Sequence, residues 1–437
     1  MSASDLVALV CCDLGSIVRG RSLASRDLDK HREAGVGWVP ANQALTPLGP
    51  LAEPNPFGAT GDLRLLPDPA THTRVAAGRG QTPLELVLCD IAETDGSPWE
   101  CCPRHFLRTA LAELAQEFDV HVSASFEHEF QLRTDAAPAL PFSLEEQRRA
   151  EPFATDALRA LAEAGLEPER IFPEYAAHQF EVPVDSSEAL ASADRSVLLK
   201  EVVREVARRH GTRASFSPLL DPEDAGNGVH IHFSLRDGRG APLLYDARAT
   251  ARLSELGARF AAGILRHARA LNALTAASPI SSARLAPHRW SAGAVCLAER
   301  NREALLRIPE LVTLSGADEA SQLHLEYRGA DATANPYLAL GALLRAGLDG
   351  LRAKLPAPPL LEGDPAELDD AEAARLGVGA LPGSLEEALS ALAGDDSARG
   401  WMAPLLYEAY VAVKQAELQL VDELDIAEAC RRYAEVY

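Results

Sequence analysis

A short segment before the middle of the chain carries two glutamates on one face of a predicted strand. Residues 120–132 read VHVSASFEHEFQL, and successive side chains of a strand point to opposite faces. The alternation therefore places Glu127 and Glu129 on a polar face, about 7 Å apart along the strand. Because contact with solvent explains a single polar face equally well, this segment alone does not identify a site.

The same alternation recurs in three later segments, HQFEV, GNGVHIHFSL and LHLEYRG. Their polar faces contain Glu, His, Arg, Gln and Ser but no Lys, which distinguishes them from an ordinary solvated strand face with mixed charge. If these strands are neighbours in one sheet, the polar side chains converge. Together with Glu174, which precedes HQFEV, they are Gln179, Glu181, His230, His232, Ser234, His324, Glu326 and Arg328.

This set of side chains suits a divalent cation. Oxygen-rich sites with an imidazole bind Mg²⁺ or Mn²⁺, and converging glutamates repel one another strongly when no cation is present. Carboxylate-rich magnesium sites commonly handle substrate phosphates. Arginines in the same half of the chain add groups that bind phosphate and carboxylate. The residues alone therefore predict a metal-dependent enzyme for a phosphorylated or carboxylate substrate. The arginines are Arg284, Arg302, Arg307 and Arg328.

Composition narrows the class of protein. The chain has 437 residues, 47% of them hydrophobic and 24% charged, which excludes a disordered chain. Its formal net charge of −22 excludes a general binder of nucleic acids or anionic membranes. No apolar run reaches the ~18 residues of a membrane span. Seven cysteines without a CxxC motif indicate reduced thiols, and we therefore expect a cytoplasmic protein.

The sequence also predicts the strands and helices that position these side chains. Strands are predicted at 5–12 and 84–93, in a small loop-rich β domain, and a helix at 104–117 follows a change in composition. Asn335 and Pro336 predict the start of another helix, and Gly350 predicts its end. Long helical stretches are expected at 187–210, 247–275, 336–348 and 402–434.

Several ordered blocks resemble glutamine synthetase: FEHEF, HQFEV, GNGVHIHFSL, SSARLAP, ERNREALLRIP and LEYRGADATANPYLALGALLRAGLDG. Weaker matches are GVGW, GDLRLLPDP and LPGSLEEAL, so the resemblance covers nearly the whole chain. It implies an α+β fold, with a small N-terminal β-grasp domain at 1–102 and a large catalytic domain at 103–437 built from a curved antiparallel sheet and helices. It also implies a homo-oligomeric ring, commonly a dodecamer of two hexamers, with active sites between subunits.

The resemblance further implies residue roles. Two or three Mg²⁺ or Mn²⁺ ions would be held at two positions: by Glu129, Glu174 and Glu181, and by Glu127, His230 and Glu326. Arg284 would bind the carboxylate of glutamate, beside Gly226, which allows close backbone approach. The nucleotide would lie near His232 and Ser234. The phosphates of ATP and the transferring phosphoryl group would be neutralised by Arg302, Arg307 and Arg328, of which Arg302 and Arg328 would act in catalysis with Glu326.

The implied reaction joins glutamate to an amine through an acyl phosphate. Ammonium-using members carry two acids that bind and deprotonate ammonium, and both are replaced here. Val39 follows the GVGW segment that a neighbouring subunit would supply, and Trp290 stands six residues after Arg284. A larger organic amine is therefore the expected nucleophile, as in ligases for polyamines, ethanolamine or arylamines. Because neither Val39 nor Trp290 is charged, the pair favours a less charged amine.

Two alternatives remain open at this point. Besides the organic-amine ligase, these are a glutamine synthetase with a rebuilt ammonium site and a non-catalytic paralogue that binds a nucleotide or metabolite. A paralogue without activity would have no need of the cation ligands, yet all six expected positions are filled. One smaller departure concerns the HQFE segment, where a glycine common in the family is replaced by His178.

Overall fold

The computed structural model describes residues 5–78, 81–289 and 291–437, and it contains a small sheet followed by a larger sheet covered by helices. Trp290, one of the predicted substrate-binding residues, lies outside the described residues. The strands are β1 Leu6–Cys12, β2 Val18–Ala24, β3 Val36–Trp38, β4 Leu63–Pro67, β5 Thr73–Val75, β6 Leu84–Ala92, β7 His121–Arg133, β8 Phe172–Pro173, β9 Gln179–Val182, β10 Ser187–Glu188, β11 Arg213–Ser215, β12 Val229–Arg236, β13 Ala294–Glu299, β14 Ala304–Ile308, β15 Leu325–Tyr327 and β16 Leu360–Leu361.

The α-helices alternate with the strands of the larger sheet and then continue to the end of the chain. They are α1 Pro103–Phe118, α2 Leu144–Glu163, α3 Ala189–Arg209, α4 Glu255–Arg266, α5 Ala268–Thr275, α6 Ser281–Arg284, α7 Glu319–Gln322, α8 Pro336–Arg352, α9 Asp370–Leu376, α10 Leu385–Gly394, α11 Asp396–Gly400, α12 Pro404–Val421 and α13 Ile426–Ala434. Within the described ranges, no helix combines the length and apolar character needed to cross a bilayer.

The small N-terminal sheet has the order β2-β1-β6-β4-β3, with β5 beside β6. The β1–β6 pair is parallel and the other pairs are antiparallel. The strands predicted at 5–12 and 84–93 are confirmed as β1 and β6. We propose to keep the domain boundary between residues 102 and 103, because β6 ends at Ala92 and α1 begins at Pro103.

The larger sheet has the order β16-β13-β14-β15-β12-β7-β9-β8, and β10 and β11 also pair with β7. Its central pairs are antiparallel, as expected. The sheet departs from the predicted curved antiparallel arrangement at one end only, where β13 runs parallel to β14 and to β16. Arg300 has a left-handed φ of 61°, and the chain after it returns to the start of β13, so Ala304 pairs with Ala294.

Helix α8 begins as predicted and ends later than predicted. Asn335 caps it, since its Oδ1 accepts from the backbone amides of Tyr337 and Leu338 at 3.0 and 3.2 Å. The helix passes through Gly350 to Arg352. A Cβ atom at Gly350 would lie 2.1 Å from the carbonyl oxygen of Arg259 in α4. This glycine therefore permits close packing of two helices and does not mark a helix end.

The other long helical stretches are partly correct. The stretch 187–210 is confirmed as α3, and the helix at 104–117 is confirmed as α1. The stretch 247–275 is wrong in its extent, because helix begins only at Glu255 and is interrupted at His267. Likewise, 402–434 contains two helices, α12 and α13, rather than one.

A buried arginine joins the N-terminal sheet to the catalytic domain. The side chain of Arg104, at the start of α1, is only 3% exposed. Its guanidinium binds Asp68 and Asp90 of the N-terminal region at 2.9 Å each, and Asp194 of α3 at 2.8 and 2.9 Å. Removing this guanidinium leaves the buried carboxylate of Asp194 without its countercharge.

We therefore expect Arg104→Ala to lower the free energy of unfolding by about 3–5 kcal/mol. Arg108→Ala is the matched control: Arg108 lies one turn later in α1 and binds Asp90 from an exposed position. Its loss should cost about 1 kcal/mol or less. Urea unfolding of both variants checks this, and equal losses would contradict a structural role specific to Arg104.

Candidate active site

The register of the larger sheet brings the predicted acidic residues into contact. Glu129 on β7 is directly opposite Glu181 on β9. Glu127 on β7 is directly opposite His230 on β12. Like charges that face each other across neighbouring strands destabilise a sheet. The two glutamates at the β7–β9 pair therefore require protons, cations or both.

The next pair of strands extends this polar row. His232 on β12 is opposite Glu326 on β15, and Glu326 is opposite Arg307 on β14. Arg307 donates to Glu326 at 2.6 Å, and Arg328 makes a second contact with the same carboxylate. Four predicted strands thus place their polar faces side by side, as the alternation indicated. Phe126 and Phe130, on the opposite face of β7, are buried in the core.

The ligand atoms lie close enough to share ions. Two groups of three side chains place one candidate ligand atom each within 4.8 Å of one another. His230 Nδ1 lies 3.5 Å from Glu127 Oε2 and 3.8 Å from Glu326 Oε1. His232 Nε2 is nearer, at 3.1 Å from Glu127 Oε2. Carboxylate oxygens with an imidazole fit Mg²⁺ or Mn²⁺. The groups are Glu127, His232 and Glu326, and Glu127, Glu181 and His230.

Electrostatics divide the glutamates into two kinds. Burial, together with the neighbouring Glu127 and Glu129, raises the pKa of Glu181 to about 10. Burial and Glu129 also raise the pKa of Glu174 to about 8. In a chain without a cation, both groups therefore hold protons at neutral pH. The raised pKa values show that several buried glutamates lie close together without enough positive charge to balance them.

Glu326 and Glu127 stay ionised because arginine or histidine side chains face them. Burial opposes ionisation of Glu326, but Arg328 and the nearby histidines outweigh it and lower the pKa to about 2. Burial also opposes ionisation of Glu127, and there His232 and His230 hold the pKa well below its ordinary value. The row therefore runs from protonated Glu174 and Glu181, before and on β9, past ionised Glu127 on β7 to ionised Glu326 beside arginine on β15.

Arg284 is a buried guanidinium aimed at the same region. Its Nη2 donates to the carbonyl oxygen of Ala330 at 2.7 Å, and its buried Nε has no hydrogen-bond partner among the described residues. Burial lowers its pKa. A Cβ atom at Gly226 would lie 2.6 Å from Arg284 Cγ, so a glycine is needed for this packing. An anionic ligand is the natural partner for an arginine held in this way.

These side chains surround a cavity of about 610 Å³. An adjoining cleft of about 470 Å³ shares Glu127, Arg170 and His232 with it and contains Ser234 and His324. Val39 is not in the wall of either space. The predicted residues that do line the main cavity are Glu127, Glu129, Glu174, Glu181, Gly226, His230, His232, Arg284, Arg302, Arg307, Glu326 and Arg328.

The structure adds wall residues that sequence reasoning missed. Arg170, Arg289, Phe142, Phe172 and Tyr175 also line the cavity. They come from loops or short strands outside the alternating segments, so no periodic signal marks them. Gln179, already on the predicted polar face, gains a role: its Nε2 lies 3.1 Å from Glu129 Oε2 and 3.0 Å from the Gly226 carbonyl oxygen. It links the acidic row to the loop that contacts Arg284.

Comparison with family models agrees with this architecture. The glutamine synthetase N-terminal domain matches residues 1–99, and the glutamine synthetase catalytic domain matches residues 100–428. Gamma-glutamylpolyamine synthetase GlnA3 of Streptomyces coelicolor is 36% identical, covering 96% of this chain and 91% of that protein. Glutamine synthetase of Methanocaldococcus jannaschii is 32% identical, covering 82% of this chain and 79% of that protein.

Solved structures agree over almost the full length. A crystal structure described as a novel glutamine synthase homolog superposes with a TM-score of 0.92 at 43% identity, covering 100% of this chain and 99% of that one. A complex of GmaS with ADP superposes with a TM-score of 0.82 at 25% identity, covering 97% of this chain and 95% of that one. The resemblance inferred from the ordered sequence blocks is confirmed: the chain belongs to the glutamine synthetase family.

Proposed function

We propose that this protein is an ATP-dependent ligase that joins the γ-carboxylate of glutamate to an organic amine. Enzymes of the family use ATP and divalent cations, and they use glutamate and an amine as substrates. The observation that carries the proposal is the row of glutamates and histidines that ends at arginines around one cavity. Cation ligands and guanidinium groups around one cavity are the parts that phosphoryl transfer to a carboxylate requires.

The acidic row fits the cation set expected for the family. Two to three Mg²⁺ or Mn²⁺ ions would be held in two groups, Glu129, Glu174 and Glu181 in one, and Glu127, His230 and Glu326 in the other. His232 is a further candidate ligand because of its distance to Glu127. When bound, such cations supply Lewis-acid stabilisation of charge on the transferring phosphate.

The arginines around the cavity would bind different parts of the substrates. Arg284 is buried, and no carboxylate in the described part of the chain lies within hydrogen-bond distance of its guanidinium, so it would bind the α-carboxylate of glutamate. Arg302 is exposed to the cavity, and its side chain makes no ion pair with any described residue, so it is available to a phosphate. Arg307 and Arg328 are held against Glu326 and would neutralise the phosphoryl group as it moves.

The proposed reaction has two steps, formation of an acyl phosphate and formation of the amide. The γ-carboxylate oxygen of glutamate attacks the terminal phosphorus of ATP, and the bond to the bridging oxygen breaks to release ADP. The nitrogen of the amine then attacks the acyl carbon, loses a proton and displaces phosphate, which leaves a γ-glutamyl amide. Positioning and charge stabilisation by fixed arginines account for the protein's share of the first step.

Replacement of the two ammonium-binding acids supports an organic amine as nucleophile. Val39 and Trp290 stand at those positions, and neither provides a negative charge for ammonium. The relative that matches over 96% of the chain is named a gamma-glutamylpolyamine synthetase. Ammonium use by a rebuilt site, and absence of activity, are the outcomes that the assay below distinguishes.

The assembly and location are also proposals. Val39 belongs to the N-terminal domain and does not line the cavity of its own chain. This supports an assembly in which a neighbouring subunit brings that segment to the site. We propose that the assembly is a ring, with two hexamers forming a dodecamer, as the family resemblance implies. All seven cysteines are free and buried, which is consistent with work in the reducing cytoplasm.

Release of ADP with different amines tests the function directly. Purified protein with ATP, Mg²⁺ and glutamate should release ADP with at least one organic amine, at a kcat/KM above that for ammonium. The series should contain ammonium, ethanolamine, alkylamines, polyamines and aniline. Release with ammonium alone would identify a glutamine synthetase, and no release with any amine would favour the non-catalytic alternative.

The variant Trp290→Glu sharpens the same assay. It returns one of the two acids to the position expected for ammonium binding. A carboxylate at this position attracts the small cation. The ratio of kcat/KM for ammonium to kcat/KM for the preferred organic amine should rise about tenfold or more, as a single charged contact of ~1.5–3 kcal/mol permits. Trp290→Gln is the neutral control. An unchanged ratio would remove Trp290 from the amine site.

Cation binding should release protons. Glu174 and Glu181 have pKa values of about 8 and about 10 without a cation, so both are protonated at pH 7. A cation binds the ionised forms, and its affinity should rise as the pH rises from 6 to 8, by about tenfold per pH unit for each proton released.

Calorimetric titration with Mg²⁺ in two buffers of different ionisation enthalpy counts these protons. Glu174→Gln should release fewer protons than the wild type, whereas Glu310→Gln, at an exposed position outside the cavity wall, should behave like the wild type. Binding that neither releases protons nor depends on pH would contradict the electrostatic description of the acidic row.

A further inference from the structure

We propose that His324 is a positioning residue: it fixes the tautomer and the ring orientation of His232, so that His232 Nε2 binds a divalent cation together with Glu127 and Glu326. The inference rests on the cation site of the proposed function and adds a role for His324, which lines the adjoining cleft. Two observations carry it. The two histidines form a chain of hydrogen bonds that ends on a backbone carbonyl, and the imidazole nitrogen at the other end has no partner.

The larger sheet brings the two histidines together beside Glu326. His232 on β12 is directly opposite Glu326 on β15. His324 lies two residues before Glu326, so the strand alternation turns both side chains to the same face. The rings of His232 and His324 have centroids 5.1 Å apart. His324 Nε2 lies 3.0 Å from His232 Nδ1, which is a hydrogen-bond distance.

The backbone determines which nitrogen of His324 carries the proton. His324 Nδ1 lies 2.6 Å from the carbonyl oxygen of Gln322. A carbonyl oxygen only accepts, so Nδ1 carries the proton and donates it. The other nitrogen of a neutral imidazole, Nε2, is then an acceptor, and it faces His232 Nδ1. The hydrogen bonds therefore run in one direction, from His232 to His324 and from His324 to Gln322.

The far end of this chain of hydrogen bonds lies in the acidic row. With its proton on Nδ1, neutral His232 has a lone pair on Nε2. This atom is buried and has no hydrogen-bond partner among the described residues. It lies 3.1 Å from Glu127 Oε2, and candidate ligand atoms of His232, Glu127 and Glu326 lie within 4.8 Å of one another. A divalent cation is the partner that satisfies the lone pair and both carboxylates.

The carbonyl that anchors the chain is itself held in place. Gln322 is the last residue of α7. Its Oε1 accepts from the backbone amide of Val312 at 2.9 Å, and its Nε2 donates to the carbonyl oxygens of Val312 and Asp318 at 3.1 Å each. Asp318 in turn caps α7 by accepting from the backbone amide of Ser321 at 3.1 Å. A fixed segment of backbone therefore orients the ring of His324.

A histidine in this place has an electrostatic advantage over a carboxylate. The partner of the second nitrogen of a cation-binding histidine fixes its tautomer and ring angle, and loss of such a partner typically costs about 10–100-fold in metal affinity. A carboxylate at position 324 would orient His232 but would add negative charge beside Glu127 and Glu326. A neutral imidazole supplies the same acceptor and adds no charge to the row.

Two amide substitutions separate the two contacts of the His324 ring. In His324→Gln, the side-chain oxygen takes the place of Nε2 and still accepts from His232 Nδ1. In His324→Asn, the shorter side chain still donates to the Gln322 carbonyl oxygen but does not reach His232. The proposal predicts that Mn²⁺ binding at the site that contains His232 is about 10–100-fold weaker in His324→Asn and close to wild type in His324→Gln.

Electron paramagnetic resonance of the full-length protein without substrates measures this binding, because free Mn²⁺ gives a signal that bound Mn²⁺ loses. Pulsed measurements on bound Mn²⁺ also detect coupled imidazole nitrogens, and this coupling should decrease in His324→Asn and persist in His324→Gln. The matched control is His121→Gln, on the same sheet. The His121 side chain is 56% exposed and lies outside the walls of the main cavity and the adjoining cleft, so this variant should bind Mn²⁺ like the wild type.

The outcomes separate this inference from the proposed function. Weaker Mn²⁺ binding by His324→Asn than by His324→Gln, with wild-type binding by His121→Gln, supports the role of His324. Equal affinities in the two His324 variants, or tighter binding by His324→Asn, overturn it, and the second result identifies a histidine that only ties the sheet to Gln322. If the variants follow the predicted order but the wild type releases no ADP with any amine, the proposed function fails and the inference stands.

Discussion

Glutamates on the neighbouring strands β7 and β9 of the larger sheet face one another directly, and the rest of the site depends on this repulsion. Glu129 and Glu181 are paired by the register itself, so no side-chain rotation separates them fully. Burial adds to the cost, because it removes the water that screens like charges. A fold that keeps such a pair must supply protons or cations, and a cation is the one that is useful in phosphoryl transfer.

The opposite end of the row balances this charge in a different way. Glu326 is held ionised between Arg307 and Arg328, while Arg284 is buried near the acidic groups without an ion pair among the described side chains. One wall thus has an excess of negative charge, and another has more guanidinium groups than carboxylates. A cation-bound phosphate and a substrate carboxylate complete this arrangement, which is why glutamate activation by ATP fits the cavity.

The alternating sequence segments predicted the polar row because a strand period of two residues fixes the face of every side chain. For that reason the sequence placed Glu127, Glu129 and His230 on one polar face, as the register of the sheet has them. It failed for Gly350, where close packing of another helix decides the residue, and for the parallel end of the sheet, where a turn at Arg300 decides the direction. It also missed Phe142 and Tyr175, since only tertiary contacts bring two loops together.

The central claim is that the facing glutamates, Glu129 and Glu181, bind cations. Crystals grown with Mn²⁺ and the non-reacting nucleotide ADP test this claim most directly. Anomalous scattering should locate manganese between β7, β9, β12 and β15, with oxygen or nitrogen ligands from the acidic row at about 2.0–2.6 Å. Glu129 and Glu181 should both be among the side chains that surround the ions. Manganese bound elsewhere, with the two glutamates facing each other across an ion-free gap, would contradict the account.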